Sequence, residues 1–293
     1  MTFRTRLVAA LTAVGALLSA CSPSATLDAL TARDTYEGAD GVAYGPLPRQ
    51  RLDLFRPRTP APAGGYPVVV FFYGGSWNHG ERAGYRFVGE ALASRGVLTL
   101  VADYRLYPQV RYPDFLRDGA AAVAYALREA PRHGGNPDRV FVMGHSAGGY
   151  NAAMLALDGR WLREQGRSPR ELAGWIGLAG AYDFFPTGVK EVQPVFGHPD
   201  YPRDAVAVDH VRPGGPPAWL AAPRQDALVD PQRNTAQMVQ RLRQAGVPVT
   251  GKVYERVNHA TLIGALARPL RWLAPVLDDV VDFVDQVPAR PPG

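Results

Sequence analysis

The run Arg139–Tyr150, RVFVMGHSAGGY, changes character halfway along. Val140–Met143 is β-branched and aromatic, as a buried strand requires. Gly149–Leu157, just beyond the turn, has a helix-compatible composition. Between them stands Gly144-His145-Ser146-Ala147-Gly148. The pattern predicts a strand that breaks sharply into a helix with a serine at the corner. Such a corner forces Ser146 into a strained backbone conformation, and any side chain at position 144 or 148 would collide with it. It also lifts the serine hydroxyl beyond the sheet's carboxyl edge. The Ala147 N–H is then left at a helix N-terminus, where it attracts negative charge. A Gly-x-Ser-x-Gly run also arises by chance, so the rest of the chain has to supply its partners.

Outward from this corner the chain alternates strand and helix. Upstream lie apolar strands at Val68–Tyr73 and Val97–Tyr104, with helical spacing at Gly84–Arg95 and Phe115–Glu129. Downstream, strands are expected around Trp175–Ala181, Pro217–Ala222 and Val249–Glu255. Helices are expected at Thr235–Ala245 and, closing the chain, at Leu270–Val287. This repetition implies an α/β fold with a mainly parallel sheet covered by helices on both faces. Leu52–Phe55 alternates and reads as an early edge strand. Phe184–Gly215 breaks the rhythm with five prolines, but its aromatic residues argue for a folded, cap-like excursion rather than disorder.

Ligands of open α/β sheets bind beyond the carboxyl ends of the strands. Val68–Tyr73 runs there into Gly74-Gly75-Ser76-Trp77. Two glycines in that place free backbone amides to face a developing negative oxygen, as an oxyanion hole requires. A serine hydroxyl needs a base to take its proton and a carboxylate to orient the base. Of the six histidines, His145 adjoins Ser146 and its ring should point away. His259, in a loop after the Val249–Glu255 strand, is in position to be the base. Asp226, soon after Pro217–Ala222, is favoured as the acid. Asp230 stands before a proline like a helix-start residue and remains the fallback. The order Ser146, Asp226, His259 is the order of an α/β-hydrolase triad.

Five motifs in order carry a resemblance. They are Tyr73-Gly74-Gly75-Ser76-Trp77, Asp103-Tyr104-Arg105-Leu106-Tyr107-Pro108, Gly144–Gly148, Asp226-Ala227-Leu228-Val229 and Asn258-His259. In these the chain resembles the α/β-hydrolase esterases and lipases related to hormone-sensitive lipase and the feruloyl-esterase-like carboxylesterases. The resemblance spans Leu52 to the C-terminus. It implies the α/β-hydrolase fold and cleavage of small carboxylic esters through an acyl-enzyme. Ser146, Asp226 and His259 would be catalytic, and the amides of Gly74, Gly75 and Ala147 would form the oxyanion hole. Asp103 and Arg105 would brace loops near the site. Two positions depart from the pattern: Tyr73 replaces the usual histidine, and Ala222-Pro223 the usual His-Gly. The Gly-Gly-x-Trp and Asp-Tyr-Arg pairing also resembles prenylcysteine methylesterases and arylformamidases, so ester and amide substrates both stay open. A non-catalytic surface binding module is the non-enzyme reading.

Length and charge set the outer bounds. The chain has 293 residues, 46% of them hydrophobic, which allows one large α/β domain. Its net charge of +5 is spread among acidic residues, without the basic run that nucleic acid would call for. No His/Cys/Asp cluster has metal-ligand spacing, and no cofactor is implied. Arg4 and Arg6 precede the apolar run Leu7–Ala20, which ends at Cys21, the single cysteine. This resembles a bacterial lipoprotein signal peptide over residues 1–20. It implies lipidation of Cys21, export to the cell envelope and membrane anchoring, with 21–47 as a tether and 48–293 as the folded domain.

Overall fold

The computed structural model describes residues 27–290. The expected leader and Cys21 lie outside them. Eight strands form one sheet: β1 Tyr36–Ala43, β2 Arg51–Pro57, β3 Tyr66–Phe72, β4 Leu98–Ala102, β5 Gly135–His145, β6 Gly174–Leu178, β7 Ala218–Pro223 and β8 Val249–Tyr254. Their order across the sheet is β1-β2-β4-β3-β5-β6-β7-β8. The β1/β2 and β2/β4 pairs are antiparallel, and every pair from β4 to β8 is parallel. Strands β3, β4, β6 and β7 are buried at every residue, which explains their continuous apolar runs.

Helices cover the two faces: α1 Arg86–Ala93, α2 Asp114–Glu129, α3 Ala147–Leu157, α4 Gly159–Arg163, α5 Gln237–Gln244, α6 His259–Gly264 and α7 Val276–Gln286. Helix α3 is buried along almost its whole length, and small residues let it lie close against the sheet. The mainly parallel α/β sheet expected from the sequence is present.

Three boundaries differ from the sequence reading. The stretch expected as a tether, 21–47, supplies β1, which pairs with β2 from Tyr36↔Pro57 to Ala43↔Arg51. The folded unit therefore begins before residue 48, and β2 is an inner strand rather than an edge. The reason is that β1 buries only Tyr36 fully, so it lacks a strand's apolar alternation. The closing helix starts at Val276 rather than Leu270, because Pro275 fits only at a helix start.

The excursion after β6 is ordered. It runs through three short 3-10 turns, Gln193–Phe196, Arg203–Ala205 and Ala207–His210. Aromatic packing fixes it to the body: Phe184 stacks on Trp77 at 5.6 Å, and Phe196 meets the same indole edge-on at 4.9 Å. The Tyr112 amide donates to the Val195 carbonyl, and the Tyr150 hydroxyl to that of Ala205.

Candidate active site

Strand β5 ends at His145 and α3 begins at Ala147, so Ser146 alone makes the corner. Its φ of 55° and ψ of −120° lie where side chains are rarely found. The corner is possible because a Cβ at Gly144 would strike the Gly148 carbonyl, and one at Gly148 would strike that of Phe72. The Ser146 amide donates to the Leu178 carbonyl at 2.9 Å, tying the corner to β6.

Asp226 and His259 meet from two different strand ends. The His259 Nδ1 lies 2.6 Å from Asp226 Oδ2, and the carboxylate itself is fully enclosed. The other oxygen, Oδ1, accepts the Leu228 and Val229 amides at 2.8 and 3.0 Å, so both halves of the carboxylate are held. Burial by itself would raise the Asp226 carboxyl. The hydrogen bond and charge of His259 and the two amides outweigh it and hold the group below the usual carboxylate range. Asp230 is not a competitor. Its Oδ1 accepts the Gln232 and Arg233 amides at the start of the next helical segment, as its place before Pro231 suggested. Pro223 at the end of β7 does not keep Asp226 from His259.

Ser146 and His259 share one cavity of about 920 Å³ with Gly74, Gly75 and Ala147. Gly74 passes so close to the corner that a Cβ there would lie 3.0 Å from Ser146 Cβ. Gly75 has a φ of +127°, and Ser76 and Trp77 follow at φ 49° and 57°. Three consecutive positive-φ residues turn the loop back over the serine, a strain of about 1–3 kcal/mol for each non-glycine. Trp77 helps to hold it, donating from Nε1 to Asn151 Oδ1 on α3 at 3.0 Å.

Tyr73, at the position where a histidine was expected, is fully buried. Its hydroxyl donates to Asp103 Oδ1 at 2.7 Å and accepts from Arg49 at 3.0 Å. Asp103 also takes the Arg82 amide at 2.8 Å and pairs with the Arg82 guanidinium. Arg105 forks onto the fully buried Asp118, which Gln50 also contacts at 2.8 Å. Both residues thus brace the loops behind the glycine turn.

The sequence reading missed three contacts. The His145 ring does not point away from the site. It lies 4.8 Å from the His259 ring, and its Nε2–H donates to the His259 carbonyl at 2.9 Å. Burial, and next the charge of His259, push its pKa down to about 3, so it stays neutral. Asn234 collects the Tyr182 and Asp183 amides at its Oδ1 and donates to the Asp230 carbonyl, joining the loops after β6 and β7 at the cavity wall. Ser76 donates to Glu191 at 2.8 Å, joining the glycine turn to the excursion. Of the other histidines, His79 lines the cavity. His198 instead lies 3.0 Å from the Tyr201 hydroxyl, and His210 binds the Asp204 carbonyl.

A serine on a strained strand–helix corner, with a carboxylate-held histidine and a glycine turn beside it, is the geometry of one fold. The chain has the α/β-hydrolase fold. Solved esterases superpose on nearly all of it. A truncated carbohydrate esterase from gut microbiota gives a TM-score of 0.75 at 16% identity, covering 87% of this chain and 98% of that one. Esterase 2 of Thermogutta terrifontis gives 0.72 at 21% identity, covering 90% and 99%.

In sequence, residues 52–184 of this chain match the BD-FAE family model. Esterase LipC of Mycobacterium tuberculosis is 31% identical over 221 residues, which are 69% of this chain and 54% of that protein. Isoprenylcysteine alpha-carbonyl methylesterase ICME of Arabidopsis thaliana is 33% identical over 148 residues, 49% of this chain and 34% of the relative. The matched stretches thus span about a third to a half of these curated relatives.

Proposed function

We propose that this α/β-hydrolase is a serine carboxylesterase that cleaves small carboxylic esters through an acyl-enzyme. The observation that carries the proposal is the 2.6 Å contact by which the enclosed Asp226 holds His259 in the cavity that Ser146 also lines. In this reading the ester carbonyl carbon sits over Ser146 Oγ. The hydroxyl attacks while His259 Nε2 takes its proton as general base. Asp226 holds the ring at Nδ1 and stabilises the imidazolium. The carbonyl oxygen, now negative, receives the amides of Gly74, Gly75 and Ala147, each worth about 3–4 kcal/mol in systems of this type. His259 then gives its proton to the departing alcohol. Water, activated by the same nitrogen, releases the acid and restores Ser146.

Both sequence relatives bear names of carboxylic ester hydrolases, which favours esters over amides. The reading also includes export and anchoring through a lipidated Cys21, supported by Arg4, Arg6 and the apolar run before the cysteine.

A fluorophosphonate probe should label the wild-type chain and leave Ser146→Ala unlabelled. The same substitution should abolish p-nitrophenyl butyrate hydrolysis without loss of folded protein. Undiminished turnover in the variant refutes the assignment. Activity on N-formyl amides without activity on simple esters selects the amidase alternative. Incorporation of labelled palmitate that disappears in Cys21→Ala tests the anchor separately.

A further inference from the structure

The mouth of the cavity carries apolar side chains that no other described residue covers. Leu228 and Val189 line the cavity and are 71% and 43% exposed. Leu27 lines it as well and comes against Gly264 on α6, where a Cβ would lie 3.9 Å from the leucine and 3.2 Å from Leu270. The two segments meeting there carry Leu30, 63% exposed, and Trp272, 73% exposed. Four of the six large hydrophobic side chains that stand exposed among the described residues thus belong to the mouth or to the segments at its rim. Scattered apolar residues need no explanation, but a group around one opening marks an interaction surface. Trp272 has an indole anchored by its N–H to the Pro269 carbonyl. An indole with one wet and one apolar side suits a membrane interface.

The start of the chain says what covers this surface. Leu27 is in the cavity wall, held there by an Asp28–Arg86 ion pair at 3.5 Å and by Thr31 capping its carbonyl. Cys21 is only six residues upstream. Six residues reach at most about 20 Å even when fully extended. An acyl anchor at Cys21 therefore cannot let the mouth stray far from the bilayer surface.

We infer that the cavity mouth is held against the lipid bilayer, and that its substrates are acyl esters dissolved in the membrane. The cavity, about 920 Å³, is near the upper end of small-molecule sites and has room for a long acyl chain. The inference rests on the esterase and anchor readings above. Leu27, Leu228 and Val189 become the rim through which a lipid chain passes from membrane to Ser146, while Leu30 and Trp272, outside the cavity lining, seat the protein in the bilayer.

The test uses the full chain reconstituted in vesicles of phosphatidylglycerol and brominated phosphatidylcholine. The fluorescence difference between wild type and Trp272→Phe isolates the Trp272 signal, and bromine should quench more than half of it. A Leu30→Ser/Trp272→Ser variant should hydrolyse a long-chain ester in the bilayer at least fivefold more slowly than wild type. Its rate on p-nitrophenyl acetate in solution should stay within twofold. An unquenched Trp272, or equal rates of both proteins on the bilayer ester, overturns the inference. Quenching with no hydrolysis of either ester overturns the esterase reading and leaves the docked mouth standing.

Discussion

His145 should make the fold sensitive to acid although it moves no proton in the reaction. Its ring is 5% exposed, its Nε2–H is committed to the His259 carbonyl, and its Nδ1 has no partner. Burial is the larger cause and the charge of His259 the next, and together they lower its pKa to about 3. In the unfolded chain a histidine titrates near 6.5. Between these values the unfolded state binds one proton more than the folded state, so stability is lost as pH falls. The loss is about 1.4 kcal/mol per pH unit, or roughly 3 kcal/mol at pH 4.5 and roughly 4 kcal/mol at pH 3, where the folded histidine is itself half protonated. That is a large part of the about 5–15 kcal/mol of a typical domain. His145→Gln keeps a donor for the His259 carbonyl and removes the titration. Urea unfolding of both proteins at pH 7.5 and pH 4.5, followed by tryptophan fluorescence, gives a double difference in which packing costs cancel. The variant should lose about 3 kcal/mol less than wild type between the two pH values. Parallel losses within about 0.5 kcal/mol would refute the buried, neutral His145.

Other outcomes follow from the same geometry. Asp226→Asn should lower kcat on p-nitrophenyl butyrate by about 10⁴, as loss of the orienting carboxylate does in related triads, while Asp230→Ala should leave it within about threefold and cost about 1 kcal/mol of cap stability by thermal unfolding. Gly74→Ala must push the glycine turn off Ser146 Cβ, 3.0 Å away, and should cut kcat by about 10²–10³ with little change in the melting temperature. Tyr73→Phe strips a donor from the buried Asp103 and should cost about 1–3 kcal/mol in urea unfolding, while Arg49 keeps its bonds to the Tyr104 and Gly80 carbonyls.

The sheet was legible where strands are buried on both faces, because β3, β4, β6, β7 and the second half of β5 are buried at every residue and the glycines at the Ser146 corner are sterically compulsory. Asp226 and His259 were legible for a related reason: each stands just beyond a strand's carboxyl end, where the fold gathers its chemistry. What escaped the sequence was set by distant chain. Asn234 reaches back 52 residues to Tyr182, Ser76 reaches 115 residues to Glu191, and His145 reaches 114 to His259. No local pattern encodes such a bond. Strand β1 escaped for the opposite reason. It lies at the rim of the sheet, where solvent rather than packing chooses the side chains.

That rim strand bears on how the protein can be handled. β1 is short of apolar residues and irregular in register between Ala39 and Val42, which makes it a poor template for another chain to pair with. A truncation that starts at residue 48, the domain boundary expected from the sequence, would strip it away. The outer edge would then be β2, with Leu52, Leu54 and Phe55 all buried in the intact protein. Such a fragment would keep Ser146, Asp226, His259 and the glycine turn and still present a bare, sticky sheet edge to its neighbours. Its insolubility would say nothing about the chemistry of Ser146.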